Sequence, residues 1–143
     1  MRFQKLGLFF ACTFFICACV LVRTGNACVF SRYAGERAFY LYSPTSQATI
    51  KSRVALTQLH DIQGESVTIT KPITEKDAFL GQVLNDYNAC VLWEETCANT
   101  TSYYCYSSRI QGGVDVGGRR VNLHIAFGDE RVKLGTPLIF GGF

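Results

Sequence analysis

The sequence predicts an α+β fold in which one helix packs on a four- to five-stranded antiparallel sheet, preceded by an N-terminal signal or anchor helix. Three observations lead to this prediction. Residues 6–22 carry no charge, residues 79–87 place apolar side chains at helical spacing, and residues 121–127 repeat apolar side chains at every second position. These patterns are typical of a membrane-directed segment, an amphipathic helix and a half-buried strand, respectively.

The membrane-directed segment lies close to the N-terminus. Residues 6–22 form an apolar run of seventeen residues, with Arg2 and Lys5 before it and Arg23 after it. A basic start, an apolar centre and a polar boundary are typical of a secretory signal. A helix of that length also spans about 25 Å, the lower limit for a membrane anchor. We therefore expect residues 1–27 to be a signal peptide or an N-terminal membrane anchor, with the rest of the chain secreted or facing the outside.

This segment has three alternative fates. Gly25 and Ala27 place small residues at the −3 and −1 positions of a signal-peptidase site, and cleavage there would release a chain that begins at Cys28. Without cleavage, residues 6–22 stay in the membrane, and the positive-inside bias keeps the N-terminus on the cytoplasmic side. The stretch that ends at Cys19 loosely resembles a lipid-attachment motif, so lipidation is the third alternative.

The net charge of the chain belongs to this segment and not to the domain behind it. The formal charge of +3 comes from 14 basic and 11 acidic residues, and Arg2, Lys5 and Arg23 account for the whole excess. Residues 28–143 are therefore formally neutral, and their length suits a single domain. Nucleic-acid binding requires a basic surface, so we expect no nucleic-acid partner.

Three stretches ahead of the helix have the composition of strands. Residues 38–42 are apolar and end at a proline turn, and residues 65–70 are rich in β-branched side chains. Residues 48–59 alternate imperfectly, which indicates a strand or an extended arm. The three stretches are separated by polar or turn-forming residues, as short strands usually are.

The predicted helix runs from Glu75 to Tyr87. Its apolar residues, which include Phe79 and Val83, form one stripe at helical period. Thr74 is the expected capping residue, and Asn88 is the expected left-handed terminator.

Behind the helix the pattern changes to strands. Residues 90–96 and 101–110 flank a turn and predict a hairpin, and the glycine-rich stretch 112–121 predicts a second, tighter turn. Residues 121–127 and 131–140 then complete an antiparallel meander of about four strands. With the helix covering one side, this arrangement is an α+β sandwich.

Four of the seven cysteines lie outside the apolar run, which permits two disulfides in an exported domain. If Cys97 and Cys105 lie on the two arms of one hairpin, their even separation would put both side chains on one face. We therefore consider a Cys97–Cys105 bridge possible on geometric grounds. The alternative is that all four remain free thiols. These four are Cys28, Cys90, Cys97 and Cys105.

The chain lacks the sequence motifs of metalloproteases, P-loop enzymes, serine hydrolases and dinucleotide-binding proteins. The sequence thus predicts no cofactor and no metal site. One enzymatic alternative remains, in which Cys105 is a nucleophile and His124 its base, provided that the two meet across the sheet. A histidine on a sheet face without a catalytic role is the simpler interpretation.

Two further stretches have the composition of binding sites. Gly112–Arg120 contains two glycine pairs and two arginines, a set that suits an anion, although a hairpin turn explains the same glycines. Trp93 together with Tyr104 and Tyr106 predicts a stacking platform for a sugar or a peptide, with Tyr103 on the opposite face. Aromatic residues also occupy strands for packing alone.

Four stretches, residues 40–48, 64–67, 121–126 and 135–139, resemble the YwmB-like family of exported proteins of endospore-forming bacteria. That family has a fold similar to the TATA-box-binding protein. The resemblance implies an exported cell-envelope protein, associated with sporulation, and implies no reaction. We accordingly expect a non-enzymatic binding or interaction domain. Its expected partners are the membrane, through residues 6–22, and a protein or cell-wall component.

Overall fold

The computed structural model describes residues 12–13, 28–43, 48–70 and 74–140. In these ranges it contains a seven-stranded antiparallel sheet, a separate two-stranded sheet and one long helix, which is an α+β arrangement. The strands are β1 (Glu36–Leu41), β2 (Thr49–Lys51), β3 (Ile62–Ile69), β4 (Ala89–Cys97), β5 (Thr100–Ser107), β6 (Val114–Val116), β7 (Arg119–Val121), β8 (Leu123–Phe127) and β9 (Val132–Thr136); the helix is α1 (Lys76–Tyr87), and Leu56–Asp61 form a 3-10 helix.

The large sheet has the strand order β2-β1-β3-β9-β8-β5-β4, with every neighbouring pair antiparallel. The predicted meander is present as β4, β5, β8 and β9. The prediction of four to five strands was wrong, because β3 pairs with β9 and brings β1 and β2 into the same sheet. In that pairing Val67 lies opposite Leu134.

Helix α1 begins and ends almost where its periodicity predicts. Asn88 follows it with φ +47°, and its backbone N–H bonds to the carbonyls of Leu84 and Asn85, so the left-handed terminator is confirmed. The prediction that Thr74 caps the helix was wrong. The capping position is Glu75, whose side chain makes no capping bond, and the Glu75 carbonyl accepts the N–H of Phe79 instead.

Both predicted hairpins are present, and both have two-residue turns. Cys97 pairs with Thr100 across the turn between β4 and β5. Gly117 and Gly118 join β6 to β7 with φ of +60° and +78°. A turn with two positive φ values matches the strand twist and favours glycine, which explains the glycine pair without a ligand.

The segment 48–59, predicted as a strand or an extended arm, is only partly extended. β2 is three residues long, and the chain then forms the 3-10 helix. The last predicted strand, residues 131–140, ends early, since β9 stops at Thr136 and Pro137 lies just beyond it.

The main core lies between α1 and one face of the large sheet. A turn formed by residues 28–33 closes one side of it, with Phe30 fully buried against the ring of Tyr87 at 5.7 Å between ring centroids. The core members are Phe30, Tyr33, Val67, Val83, Tyr87, Cys105, Ile110, Leu123, Ile125, Phe127, Val132 and Leu134.

The predicted export segment, residues 6–22, lies outside the described residues apart from Cys12 and Thr13, which are helical. Within the described ranges, none of the helices has both the length and the apolar character needed to cross a bilayer.

Candidate functional site

The face of the large sheet opposite α1, here called the outer face, carries a row of stacked rings. Register places Trp93 opposite Tyr104 and Tyr104 opposite His124, so the three side chains project from adjacent strands. The Trp93 and Tyr104 ring centroids are 4.7 Å apart at 15°, and those of Tyr104 and His124 are 4.5 Å apart at 18°. The predicted platform therefore exists in altered form, because neighbouring rings cover one another's faces.

His124, at the inner end of this row, is a buried neutral imidazole. Its side chain is 7% exposed, and its Nδ1 accepts the backbone N–H of Ile139 at 3.2 Å. An accepting Nδ1 assigns the ring proton to Nε2, and Nε2 has no hydrogen-bond partner among the described residues. Burial lowers the pKa of His124 to about 4, so the imidazole is neutral at ordinary pH.

Residues 137–140 run across the outer face beside this histidine. The Phe140 N–H donates to the hydroxyl of Tyr40 at 3.2 Å, and the two rings meet edge to face at 4.9 Å. Gly135 makes this path possible, because a Cβ there would lie 2.6 Å from Cγ1 of Ile139. The absence of a side chain at residue 135 therefore lets the segment approach β9 closely.

An open cleft of about 710 Å³ lies where β1 and β9 end and β3 begins. Its rim carries three apolar side chains that are well exposed: Tyr42 at 68%, Ile50 at 48% and Phe140 at 41%. The lining residues are Tyr40, Leu41, Tyr42, Ser43, Ala48, Ile50, Gln63, Gln111, Gly112, Gly113, Val114, Thr136, Pro137 and Phe140.

The described side chains that line this cleft are uncharged. The described residues that line it include no acidic or basic side chain, no histidine and no cysteine. The polar groups at the cleft are the amides of Gln63 and Gln111, four hydroxyls and backbone groups, which donate and accept hydrogen bonds without charge.

The structure does not form the predicted catalytic pair of Cys105 and His124. Cys105 lies opposite Leu123 and faces α1, whereas His124 lies opposite Tyr104 on the outer face. Burial, with a smaller contribution from Cys90, raises the pKa of the Cys105 thiol to about 12. A buried thiol without a base is a packing residue, since the thiolate is the reactive form.

The structure does not bring Cys97 and Cys105 together either, and both are free thiols. Even spacing places two residues on one face only along a single strand. Across the two-residue turn, Cys97 pairs with Thr100 and so shares its face with the even-numbered residues of β5. Cys97 is consequently exposed on the outer face, and Cys105 is buried on the other.

The glycine- and arginine-rich stretch forms a hairpin whose arginines bond to backbone carbonyls. Arg120 Nε donates to the carbonyl of Gly112 at 2.9 Å, and Arg119 Nη1 donates to that of Leu92 at the same distance. Both guanidinium groups are thus used within the fold, and the hairpin interpretation of these glycines holds.

Sequence reasoning missed the cleft entirely. Its lining comes from several segments that are distant in sequence and meet only because β3 pairs with β9. One signal was present at Tyr42, an aromatic residue that directly follows β1 and precedes a proline. Phe140 carried no comparable signal.

Interpretation of the cleft rests on its own residues. Within the described ranges, histidine, cysteine and acidic side chains form no group of three or more that could hold a metal ion. No family model matches the chain, and the chain matches neither a curated protein nor a solved structure.

Proposed function

We propose that this chain is an exported, non-enzymatic binding domain of the bacterial cell envelope and that it holds its partner in the cleft at the end of β1. The observation that carries the proposal is the combination of exposed apolar side chains at the rim with an uncharged lining. Exposed apolar surface around a concavity marks an interaction site more often than a structural feature.

The cleft also indicates the chemistry of the partner. Tyr42 and Phe140 offer aromatic surface to an apolar group, and the amides of Gln63 and Gln111 match ligand amides or hydroxyls. A charged ligand would lose hydration here without gaining an opposite charge. The partner chemistry is therefore an uncharged chain that carries secondary amides next to apolar groups, as N-acetylated wall sugars and extended peptides both do.

Export is supported by sequence alone, through the apolar run 6–22 and the neutral charge of residues 28–143. The resemblance to the YwmB-like family agrees with a cell-envelope location and with a link to sporulation. Each of the three fates of the N-terminal segment, cleavage, retention as an anchor or lipidation, would put the cleft outside the cytoplasm.

Isothermal titration calorimetry of the exported protein tests the binding function. One arm uses an N-acetylglucosamine oligosaccharide, and the other uses a capped apolar peptide, so the two sources of amide groups are separated. We expect one arm to bind. Tyr42→Ala should weaken that binding at least about tenfold, because it removes aromatic contact surface at the cleft. The fold should be retained, because the Tyr42 ring is exposed and contributes little to stability.

Leu56→Ala is the matched control, because Leu56 is an apolar residue at 85% exposure that does not line the cleft. It should leave the affinity unchanged. Absence of binding in both arms, or equal binding by the Tyr42→Ala variant, would contradict the proposed function.

A further inference from the structure

The side chain of Glu65 is a buried carboxylate that lacks a cation. It is 1% exposed, on β3, and it accepts two backbone N–H groups: Cys28 donates to Oε2 at 2.8 Å and Phe30 donates to Oε1 at 2.6 Å. Neither the Arg32–Asp86 ion pair nor the His60–Asp61 contact involves Glu65. A buried carboxylate without an opposite charge is costly.

The backbone around Cys28 is held firmly against this carboxylate. The Tyr87 hydroxyl of α1 donates to the carbonyl of Val29 at 2.9 Å, and Arg37 Nη2 of β1 donates to the carbonyl of Phe30 at 3.1 Å. Within the turn, the Cys28 carbonyl accepts the N–H of Ser31 at 3.1 Å. Contacts from β1, β3 and α1 therefore fix the position of the Cys28 nitrogen.

Cys28 is also the residue that directly follows the sequence-predicted signal-peptidase site. Gly25 and Ala27 provide the small side chains at −3 and −1. The atom that cleavage would turn into the new N-terminus is therefore the nitrogen that already lies 2.8 Å from the Glu65 carboxylate. Two independent observations, a sequence pattern and a hydrogen bond to a buried carboxylate, thus concern the same atom.

We propose that a signal peptidase hydrolyses the Ala27–Cys28 bond and that the new α-ammonium group of Cys28 forms an ion pair with the buried carboxylate of Glu65. The proposal rests on the export part of the proposed function, and it takes cleavage as the fate of the N-terminal segment. Water adds across the peptide bond, Ala27 leaves with a carboxylate, and the Cys28 nitrogen takes up protons. Hydrolysis thus places a positive charge beside a carboxylate that had only neutral donors.

This ion pair makes the processed protein more stable than the uncut one. The α-amino group ordinarily has a pKa of about 7.7–8.0, and an adjacent carboxylate raises it. A raised pKa stabilises the fold fully below pH 8, and this contribution is lost as the pH rises through the folded-state value. The charged groups that act on Tyr87, whose hydroxyl bonds to the neighbouring Val29 carbonyl, are Asp86 on α1, Glu65 on β3, Arg32 in the turn and Arg37 on β1. Tyr87 stays neutral in this range, because burial raises its pKa to about 12.

The first test determines where the exported protein begins. The full-length chain is expressed in a secreting bacterium, and the extracytoplasmic product is identified by N-terminal sequencing and intact mass. We expect Cys28 as the first residue. A product that is exported but starts elsewhere, or retains residues 6–22, overturns this inference alone, whereas a chain that stays in the cytoplasm overturns the export proposal with it.

The second test measures the unfolding free energy of the processed protein between pH 7 and 10. The measurement uses a Cys28→Ser background, which removes a thiol that ordinarily titrates in the same range. We expect the unfolding equilibrium constant to rise at least about tenfold with pH, the factor for a shift of one pKa unit. Glu65→Gln should reduce this rise to the part that the raised pKa of Cys105 contributes above pH 9, and Glu36→Gln, an exposed carboxylate on β1, should preserve the rise in full.

Equal alkaline loss in the Glu65→Gln variant overturns the ion pair. If that variant does not fold, Ala27→Phe supplies the comparison, because a bulky side chain at −1 blocks signal-peptidase cleavage. The uncut protein keeps a neutral amide at Cys28, so its alkaline loss should be limited to the contribution of the buried Cys105 thiol. An uncut protein that loses as much stability as the processed one also overturns the proposal.

Discussion

The two faces of the large sheet are covered in different ways. On one face, α1 and the turn 28–33 bury aliphatic side chains such as Leu123 and Ile125. On the outer face, the strands' own aromatic rings and residues 137–140 provide the cover. One face is thus covered by the helix and the turn that precedes β1. The other face is covered by rings that belong to the strands themselves and by the segment that follows β9.

Strand β8 illustrates what this difference teaches. Its alternation assigns Leu123, Ile125 and Phe127 to the core, and the structure confirms that assignment. His124 and Ala126, between them, are buried as well, because the outer face has its own cover. Period-two alternation thus separates the two faces of a strand but does not indicate which face is exposed.

The largest expected difference between the faces is the reactivity of Cys97 and Cys105. Iodoacetamide, used on the native protein without reductant, should modify exposed Cys97 at least about a thousandfold faster than buried Cys105. Cys105 becomes accessible only on unfolding, and a stability of about 5 kcal/mol reduces the open fraction by more than that factor. Peptide mass spectrometry at timed intervals gives both rates.

Cys90 is the internal control for this experiment, because it is exposed on the same hairpin and should react at a rate similar to that of Cys97. Comparable modification rates for Cys97 and Cys105 would contradict the assignment of Cys97 to an exposed position and of Cys105 to the buried face. Resistance of Cys97 that reductant removes would show instead that it is in a disulfide.

Local pattern was enough to predict α1, both hairpins and the faces of β8. The helix followed from a stripe that includes Phe79 and Val83, and its end followed from Asn88, one of the residue types that tolerate a left-handed conformation. Each of these features depends on residues within a few positions of one another. The sequence alone therefore contains the information they require.

Long-range pairing was not predictable in the same way. The pairing of β3 with β9 joins Val67 to Leu134, and no short-range feature of either strand selects the other. The cleft depends on that pairing, so it was missed with it. The prediction that Cys97 and Cys105 share a face was wrong for a more local reason. The turn between β4 and β5 has two residues, so Cys97 shares its face with Thr100 and not with Cys105.

A smaller effect, which belongs to the outer face, is the loss of stability that His124 causes as the pH falls. Its pKa is lowered from 6.5 to about 4 by burial, so the unfolded chain binds a proton between these values and the folded chain does not. The stabilising contribution is therefore complete above pH 6.5 and is lost as the pH falls towards 4, by up to about 3 kcal/mol. Urea unfolding at a series of pH values between 4 and 7 measures it.

His124→Phe keeps a ring against Tyr104 and removes the titrating group, so its stability should fall less steeply with acid. Leu56→Phe is the control, because it introduces the same ring at a position that is 85% exposed and removes no ionisable group, so the acid slope should be unchanged. The slope is the readout, and not the absolute stability, since His124→Phe also removes the bond from Ile139. Parallel slopes for His124→Phe and the parent protein would disprove the buried, neutral state of this histidine.

The smallest expected effect is the energy of the ring stack itself. A double-mutant cycle with Trp93→Leu and Tyr104→Leu should give a coupling free energy of about 1 kcal/mol, the usual value for an aromatic pair beyond its buried area. A parallel cycle with Trp93→Leu and Tyr106→Leu is the control, because Tyr106 lies opposite Cys90 and not Trp93. Equal coupling in both cycles would assign the effect to general burial at the β4 edge. Coupling confined to Trp93 and Tyr104 would show that the outer face gains stability from its own rings, without a covering helix.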